Sequence, residues 1–418
     1  MADWLPDDVL REILARLKVD VAALFRCATA CKRWCGLVAD PSFLHHCWPD
    51  DACPSFFVGI FIKQQLRNQG AKVLIRTPGS VLRHGRRALS SFVPAVSPRL
   101  LHRAVPLLSR HGLLLVRLNL RLPCPSWNWG VVHLAVCNLL DGTCSKLPPL
   151  MCTTISSNDF GHYGCAVLAG DDFRSKDSEQ PGPVQPSNST LFKVVIITSD
   201  EIDRKFNLYT FASNDTSWST HTEFLNTESF NDDYGWSFCQ SEAVVHRGTS
   251  HWLCLNFSGQ CFDVVNMNAQ SGDFSLTRLP FPMLNDVDRP CLSLPIKGTL
   301  SVLRIESVGS QLEIWTQQQG QQRMDGTSEW LCTQKIELME PKVEVSRGTG
   351  PYIFGERCGK LLVNDGLWHV YTAGIQTGII EKVADWPRIH PICTADVVPL
   401  EINWPALFIS RLGTIRYS

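Results

Sequence analysis

The sequence predicts a small helical module followed by an all-β domain that forms an irregular β-propeller. Apolar residues recur at helical spacing over roughly the first fifty residues. After Pro49, short apolar runs alternate with Gly, Pro, Asn, Asp and Ser, a pattern typical of strands and turns. Loosely similar β-rich units then recur along the chain, which indicates a repeat architecture.

The first helix is predicted from Pro6 onwards. Proline suits the first helical position because the N–H group that it lacks would have no partner there. Asp7 and Asp8 follow in the first turn, where the helix dipole favours acidic groups. One apolar stripe then runs along the helix and consists of Val9, Leu10, Ile13, Leu14 and Leu17.

Two further helices complete the predicted module. The second begins after Asp20, whose carboxylate can cap the first backbone N–H groups. The third ends before Pro41, because a residue that precedes proline avoids the helical region. The apolar residues of these two helices are Leu24, Cys27, Ala28, Trp34, Leu37 and Val38.

A module of about fifty residues is marginal by itself, so part of its apolar surface is expected to meet a partner. Its residues resemble an F-box at Leu5-Pro6, Ile13-Leu14, Leu17, Leu24, Lys32-Arg33-Trp34 and Asp40-Pro41-Ser42-Phe43. The resemblance implies docking on the Skp-type adaptor of an SCF (cullin-RING) ubiquitin ligase, through Leu5, Pro6, Val9, Leu10, Ile13 and Leu24. The alternative is an ordinary three-helix core, which is the interpretation favoured for Leu14, Leu17, Trp34 and Leu37.

The expected domains are the helical module at 1–48 and the β-domain at 49–418. Three β-rich units open on Gly248, Gly298 and Gly359, which lie 50 and 61 residues apart, near the ~50 residues of kelch-like blades. A radial arrangement lets such meanders bury both faces. Six or seven blades are expected, and a sandwich-like arrangement is the alternative. The polar stretch 171–189 is predicted to be a flexible loop.

The β-domain also resembles the F-box-associated propeller regions of plant proteins, especially those of grasses. The stretches that carry this resemblance begin at Ser109 (Ser-Arg-His-Gly-Leu-Leu-Leu), Cys137 (Cys-Asn-Leu-Leu-Asp-Gly), Gly248 (Gly-Thr-Ser-His-Trp-Leu), Leu312 (Leu-Glu-Ile-Trp) and Gly359 (Gly-Lys-Leu-Leu-Val). The Gly-Gly doublet of standard kelch blades is missing. The resemblance therefore implies an irregular, kelch-like propeller.

Composition excludes several classes of function. The net charge is −1 and 19% of residues are charged, which argues against a sequence-independent grip on nucleic acid. No stretch approaches the ~20 apolar residues of a membrane-spanning helix, and the N-terminus lacks a signal-peptide core. We therefore expect a soluble protein of the cytoplasm and/or nucleus, with its 17 cysteines reduced.

The sequence offers little local support for catalysis. It contains no phosphate-binding loop, no H-E-x-x-H, no G-x-S-x-G and no C-x-x-C. His246 and His251 flank Ser250 and suggest a nucleophile and base, but a glycine-led turn followed by a strand explains the same residues. We therefore predict no catalytic residues, no metal site and no cofactor.

The leading functional interpretation is a substrate-recognition subunit of an SCF-type ubiquitin ligase. The helical module would hold the adaptor and, through it, the cullin and RING subunits, while the propeller would hold a target protein of unknown identity. Such a protein acts by proximity, which raises the effective concentration of the target near activated ubiquitin. The alternatives are a propeller enzyme (a metal-dependent oxidase or hydrolase) with a helical appendage, and an F-box protein with a role outside ubiquitination.

Overall fold

The computed structural model describes somewhat more than six-tenths of the chain. These are residues 5–49, 55–63, 72–76, 98–101, 104–118, 130–152, 163–169, 172, 191–200, 205–224, 236–246, 248–256, 260–282, 290–294, 299–305, 311–322, 328–338, 352–357, 359–364, 369–385 and 397–413. Most of the predicted loop at 171–189 lies outside these residues.

The N-terminal module consists of four α-helices and one short 3-10 helix. These elements are α1 (Asp7–Arg16), the 3-10 helix (Leu17–Val19), α2 (Val21–Ala28), α3 (Lys32–Val38) and α4 (Pro41–Cys47). The three predicted helices are present, although α1 begins at Asp7, one residue later than predicted. The fourth helix is a correction, since the sequence analysis had treated Pro41 only as a stop signal.

The missed helix begins where side-chain capping and proline coincide. Asp40 accepts a hydrogen bond from the backbone N–H of Ser42 at 2.9 Å, and Pro41 occupies the first turn. Asp20 caps α2 in the same manner by accepting from the N–H of Ala23 at 2.9 Å. Proline therefore ends one helix and opens the next, because its fixed φ is compatible with the first helical turn.

The rest of the described chain is an all-β domain with two added helices, α5 (Pro98–Leu101) and α6 (Trp404–Leu412). Its first three strands in the sheet order are β2 (Lys72–Arg76), β1 (Ser55–Lys63) and β26 (Val397–Asn403). The next sheet contains β3 (Val105–Arg110), β4 (Leu113–Arg117), β6 (Leu134–Asn138) and β7 (Thr143–Lys146). A small separate pair consists of β5 (Val131–Val132) and β8 (Leu150–Met151).

Four more sheets follow in chain order. The first has β9 (Tyr163–Ala169), β10 (Phe192–Asp200), β11 (Lys205–Ala212) and β12 (Ser219–Phe224). The second has β13 (Trp236–Phe238), β14 (Val244–His246), β15 (Thr249–Asn256), β16 (Cys261–Asn268) and β17 (Phe274–Pro282). The third has β18 (Cys291–Ser293), β19 (Ser301–Ile305), β20 (Gln311–Gln322) and β21 (Ser328–Glu337). The fourth has β22 (Tyr352–Arg357), β23 (Lys360–Asn364), β24 (His369–Gly374) and β25 (Ile380–Asp385).

These sheets form a β-propeller. Within each sheet the strands pair antiparallel, mostly in chain order. Neighbouring sheets contact one another in a closed circuit, from β26 to β3, β3 to β9, β9 to β13 and β14, β15 to β18, β18 to β22, and β22 back to β26. Among the described residues there are thus five blades of four or five strands and a sixth, three-stranded blade.

The three-stranded blade closes the ring by pairing strands from both ends of the β-domain. Strand β26 pairs antiparallel with β1, in a register that places Ser55 opposite Asn403. Closure of this kind leaves no long unpaired inner edge. The fold class predicted from the sequence is confirmed: a short helical module precedes an all-β propeller domain.

Apolar side chains fill the spaces between successive blades. Trp252 of β15 is fully buried in one such space, against strand β9 of the preceding blade. Gly164 of β9 makes room for it, because a Cβ atom there would lie 2.5 Å from Cδ1 of the Trp252 indole. Trp252 is therefore a packing residue of the propeller core.

Helix α6, which follows the last strand of the β-domain, packs against the N-terminal module. Phe408 of α6 is fully buried, with its ring centroid 5.8 Å from that of Trp48 and 5.7 Å from that of Phe25. The shared hydrophobic cluster also contains Ile402, Trp404 and Leu412. The core of the helical module is therefore built from both ends of the described chain, and the division at residue 48 stays a prediction.

Candidate functional site

Helix α1 presents two apolar faces. Leu10 and Leu14 are buried in the core that the helical module shares with α6. Val9 and Ile13, one turn apart on the other face, are 41% and 46% exposed. Residues four apart lie on the same side of a helix. Val9 and Ile13 therefore form a continuous exposed apolar patch, which is the candidate site.

The six residues predicted to dock the adaptor fall into two groups. Pro6, Val9 and Ile13 are exposed, and Leu5 is half-buried against the core. Leu10 and Leu24 are 2% and 0% exposed and belong to the core. The helical periodicity of the sequence marks both faces as apolar and does not show which of them faces the core.

Ion pairs hold the start of α1 in place beside α3. The Nη2 atom of Arg33 lies 2.7 Å from Oδ1 of Asp7, and the same guanidinium donates to the backbone carbonyl of Leu5. Arg33 is the middle residue of the Lys32-Arg33-Trp34 motif. Its contacts fix the chain direction immediately before Pro6 and thereby fix the orientation of the exposed patch.

A second pair joins α1 to the start of α4. Nη2 of Arg11 lies 2.5 Å from Oδ2 of Asp40. The pKa of Asp40 is lowered, chiefly by the hydrogen bond from the Ser42 side chain, with further contributions from the Ser42 backbone N–H and from Arg11. A carboxylate that stays ionised caps α4 and attracts Arg11 over a wide pH range.

Two of the cavities lined by described residues lie in the propeller. The larger, about 490 Å³, is open to solvent between two blades. Its lining combines the charged Lys146 and Asp215 with the rings of Phe192 and Phe211. Trp218 stabilises this wall by packing on Phe211, and its indole N–H donates to the Pro148 carbonyl at 2.8 Å. Such a mixed lining suits a polypeptide segment that has both apolar and charged side chains.

The second cavity lies among the inner strands and measures about 30 Å³, which is the space of a single water molecule. Glu242 and Arg357 form an ion pair at its wall. Burial raises the pKa of Glu242 to about 7, although the charge of Arg357 opposes this effect. Next to Arg357 in β22, Oε2 of Glu356 accepts a hydrogen bond from the hydroxyl of Ser293 in β18 at 2.9 Å.

The serine and histidines considered as a nucleophile and base do not form a catalytic pair. Ser250 and His251 are successive residues of β15, so their side chains point to opposite faces. Nδ1 of His251 lies 2.6 Å from Oδ1 of Asn266, and burial lowers its pKa to about 4. Among the described residues, the buried Ser250 hydroxyl has no hydrogen-bond partner.

Within the described ranges, no group of three or more His, Cys, Asp or Glu side chains is placed to hold a metal ion. The half-exposed Cys27 belongs to α2, whereas Cys31 precedes α3 and accepts from the N–H of Trp34 at 3.5 Å.

Among the helices of the described residues, none has the length and apolar character that a membrane crossing requires.

The sequence analysis did not identify α6 as part of the site. Its start carries a recognisable signal, since Asn403 caps the helix by accepting from the N–H of Ala406 at 2.9 Å and Pro405 lies in the first turn. The local sequence therefore indicates a helix. It does not indicate that this helix packs on a module more than 300 residues earlier in the chain.

An exposed apolar patch thus lies on a helical module that packs against α6 of the propeller domain. The family comparison covers this module: the family described as F-box-like matches residues 3–47. This range contains all four helices, α1 to α4, of the module. The chain therefore carries an F-box-like domain in front of its β-propeller.

No curated protein matches the chain. Among solved structures, AztD of Citrobacter koseri is similar with a TM-score of 0.30 and 12% identity, over 82% of this chain and 73% of that chain. An alpha-L-arabinanase of Penicillium chrysogenum has a TM-score of 0.34 and 12% identity, over 65% and 78% of the two chains. A GH93 alpha-L-arabinofuranosidase of Fusarium graminearum has a TM-score of 0.35 and 12% identity, over 79% and 85%. Similarity at this level says nothing about the activity of this chain.

Proposed function

We propose that this protein is the substrate-recognition subunit of an SCF-type ubiquitin ligase. Its F-box-like domain docks on a Skp-type adaptor, which connects it to cullin and RING subunits, and its propeller binds the target protein. The protein itself supplies no catalytic group and works in the cytoplasm and/or nucleus. The plant origin and the kelch-like character of the repeats stay predictions of the sequence.

The exposed Val9 and Ile13 carry this proposal. Apolar side chains in a module this small are normally withdrawn from water, and here the available core is already filled by Leu10, Leu14 and Leu24. An interface gains most from apolar groups at its centre, where water is excluded. Together with Pro6, these two residues form the proposed docking face, while Leu5, Leu10 and Leu24 stabilise it from behind.

The packing of α6 supports the second part of the proposal. A substrate receptor works by holding target lysines close to activated ubiquitin, so the angle between its two parts has to be constant. Phe408 and Trp48 stack within a continuous core, which opposes hinge motion between the helical module and the propeller. A flexible linker would reduce the effective concentration of the target.

Capture of the adaptor by the full-length protein tests the docking face. The double variant Val9→Asp/Ile13→Asp should bind the adaptor at least ~10-fold more weakly, because two charges would lose water at the centre of an apolar interface. Ile379→Asp is the matched control, since Ile379 is a comparably exposed apolar residue on the propeller. Undiminished adaptor capture by the double variant would contradict the proposed face.

Reconstituted ubiquitination separates the proposal from its alternatives. Transfer to a captured target should require the adaptor, cullin, RING subunit and conjugating enzyme together. A protein that binds the adaptor without recruiting cullin would indicate a role outside ubiquitination. One tightly held metal ion per chain, found by elemental analysis, would favour the propeller-enzyme alternative.

A further inference from the structure

Two cysteines lie opposite each other in the blade that contains β6 and β7. Cys137 of β6 and Cys144 of β7 are direct partners in the antiparallel register. Their Sγ atoms are 3.3 Å apart, and the Cys137 thiol donates a hydrogen bond to Cys144. Both residues are free thiols. The two sulfur atoms therefore already face each other across the strand pair.

The backbone geometry at this pair suits a disulfide. Leu147 donates its N–H to the Leu134 carbonyl at 2.9 Å, which makes 134 and 147 a hydrogen-bonded pair. Pairs alternate along an antiparallel ladder, so Cys137 and Cys144, three positions further, form a non-hydrogen-bonded pair. The Cα atoms of such pairs approach to ~4.5 Å, within the ~4.4–6.8 Å range that a disulfide spans.

The two thiols differ in environment. Cys137 is fully buried, whereas Cys144 is half-buried at the outer strand of the blade. The hydrogen bond from Cys137 and the charge of Lys146 lower the pKa of Cys144, and the same hydrogen bond together with burial raises the pKa of Cys137. Cys144 is therefore the better nucleophile, with Cys137 beside it as the resolving thiol.

We propose that Cys137 and Cys144 are a redox modification site that a hydroperoxide converts to a cross-strand disulfide. The Cys144 thiolate attacks one peroxide oxygen, the O–O bond breaks, and the released hydroxide takes up a proton to become water. Cys137 then attacks the sulfur of the resulting sulfenic acid. The S–S bond forms, the S–O bond breaks, and the leaving oxygen takes the Cys137 proton to form a second water. The two thiols are oxidised by two electrons and the peroxide is reduced.

The two cysteines flank a turn that contacts α6, so a disulfide between them would affect this contact. The turn between the two cysteines contains Leu139, whose carbonyl lies 3.5 Å from Nη2 of Arg411 in α6. Leu140 of the same turn packs against the cluster shared by α6 and the helical module. A disulfide would close the base of this hairpin and restrict the turn that supports α6.

Mass spectrometry of the full-length protein tests the site directly. The protein is treated with hydrogen peroxide, its remaining thiols are alkylated, and it is digested with trypsin and chymotrypsin. Chymotrypsin is needed because the tryptic peptide from Leu122 to Lys146 also carries Cys124, which cleavage after Trp127 and Trp129 separates from the pair. Cys137 and Cys144 should lose alkylation together, with the loss of two hydrogen masses, and dithiothreitol should restore both thiols.

Variants show whether the pairing is specific. Cys144→Ser should leave Cys137 fully alkylated after peroxide treatment, whereas Cys332→Ser, at another half-buried outer-strand cysteine, should form the disulfide as the wild type does. The wild-type measurement decides the question even if a variant folds poorly. Persistent alkylation of both thiols, oxidation of Cys144 to sulfinic acid with Cys137 still reduced, or a link from Cys137 to another cysteine would each overturn the proposal.

Discussion

Leu24 is fully buried, whereas Ile13 on the preceding helix is 46% exposed, although both belong to the set of residues that the F-box resemblance assigns to docking. Burial separates two roles that this resemblance combines. A buried residue affects docking indirectly, because its loss destabilises the module. An exposed residue affects docking directly and has little influence on folding.

We expect Leu24→Ala to lower the free energy of unfolding of the helical module by about 2–5 kcal/mol, because it leaves a cavity in the core. Ile13→Ala should change it by less than ~0.5 kcal/mol, because Ile13 is in contact with water. Hydrogen exchange of the α2 amides, compared between each variant and the wild type, measures both effects on the same helix. Equal protection losses in the two variants would contradict the assignment of Ile13 to a free surface.

The sequence was sufficient to predict three of the four helices of the module. The F-box resemblance assigns docking to Pro6, Val9 and Ile13, which are exposed in the structure. The sequence was not sufficient to assign Leu10 and Leu24 to the core. Periodicity reports which residues of a helix are apolar, whereas the side that is covered depends on contacts made elsewhere. Here the core that contains Leu10 and Leu24 also includes Trp404 and Phe408, which no local pattern connects to the helical module.

At the scale of elements, α6 unites the two parts of the molecule. Its apolar residues Trp404, Phe408 and Leu412 are all buried in the core of the N-terminal module. A fragment that begins after the module would leave this face of α6 in water. A β-domain fragment that ends at Asn403 keeps β26, and therefore the closure of the ring, without the uncovered helix.

We predict that Phe408→Ala destabilises the helical module by roughly 3–5 kcal/mol, because it removes a ring that stacks on Trp48 within the core. Limited proteolysis should then cut within α1 to α4 several-fold faster than in the wild type. Ser410→Ala in the same helix keeps the packing and serves as the control. A propeller that loses protection while the helices keep theirs would show that α6 belongs to the β-domain alone.

At the same scale, the strands were predicted better than the connections between them. Antiparallel meanders with turn residues have a strong local signal, and the blades follow the chain order accordingly. The glutamine-rich residues 317–322 carry little strand signal, yet the structure places them in strand β20. Pairing with β21 overrides the weak strand preference of glutamine.

At the scale of the whole molecule, the ring places ionisable groups where water is scarce. The pKa of Glu242 is raised to about 7 by burial and by the charge of Glu401, against the opposing effects of Arg357 and Arg110, from an ordinary value of 4.5. At a pH between these two pKa values, the Glu242 carboxyl keeps its proton in the folded chain and has lost it in the unfolded chain. The free energy of unfolding therefore falls as pH rises through this window.

This contribution amounts to roughly 3 kcal/mol at most, from the difference between the two pKa values. We predict that Glu242→Gln loses less stability than the wild type between about pH 5 and about pH 7.5, because it cannot titrate. Urea unfolding at the two pH values measures the difference. Glu12→Gln removes one partner of an exposed ion pair with Arg16 and is the control. The free energy of unfolding of this variant should depend on pH as that of the wild type does. Identical pH dependence in Glu242→Gln and the wild type would contradict the prediction.

The same core that joins α6 to the N-terminal module also sets the timing of biosynthesis. The Cys35 thiol and the Leu412 carbonyl it contacts are 377 residues apart, and at ~5–20 residues per second a ribosome needs roughly 20–75 s to synthesise the stretch between them. Throughout this interval the nascent helices lack the side chains that complete their core, and β1 lacks the strand β26 that closes the ring. The helical module thus leaves the ribosome well before the residues that complete its core, and a nascent chain in that condition is a natural client for chaperones.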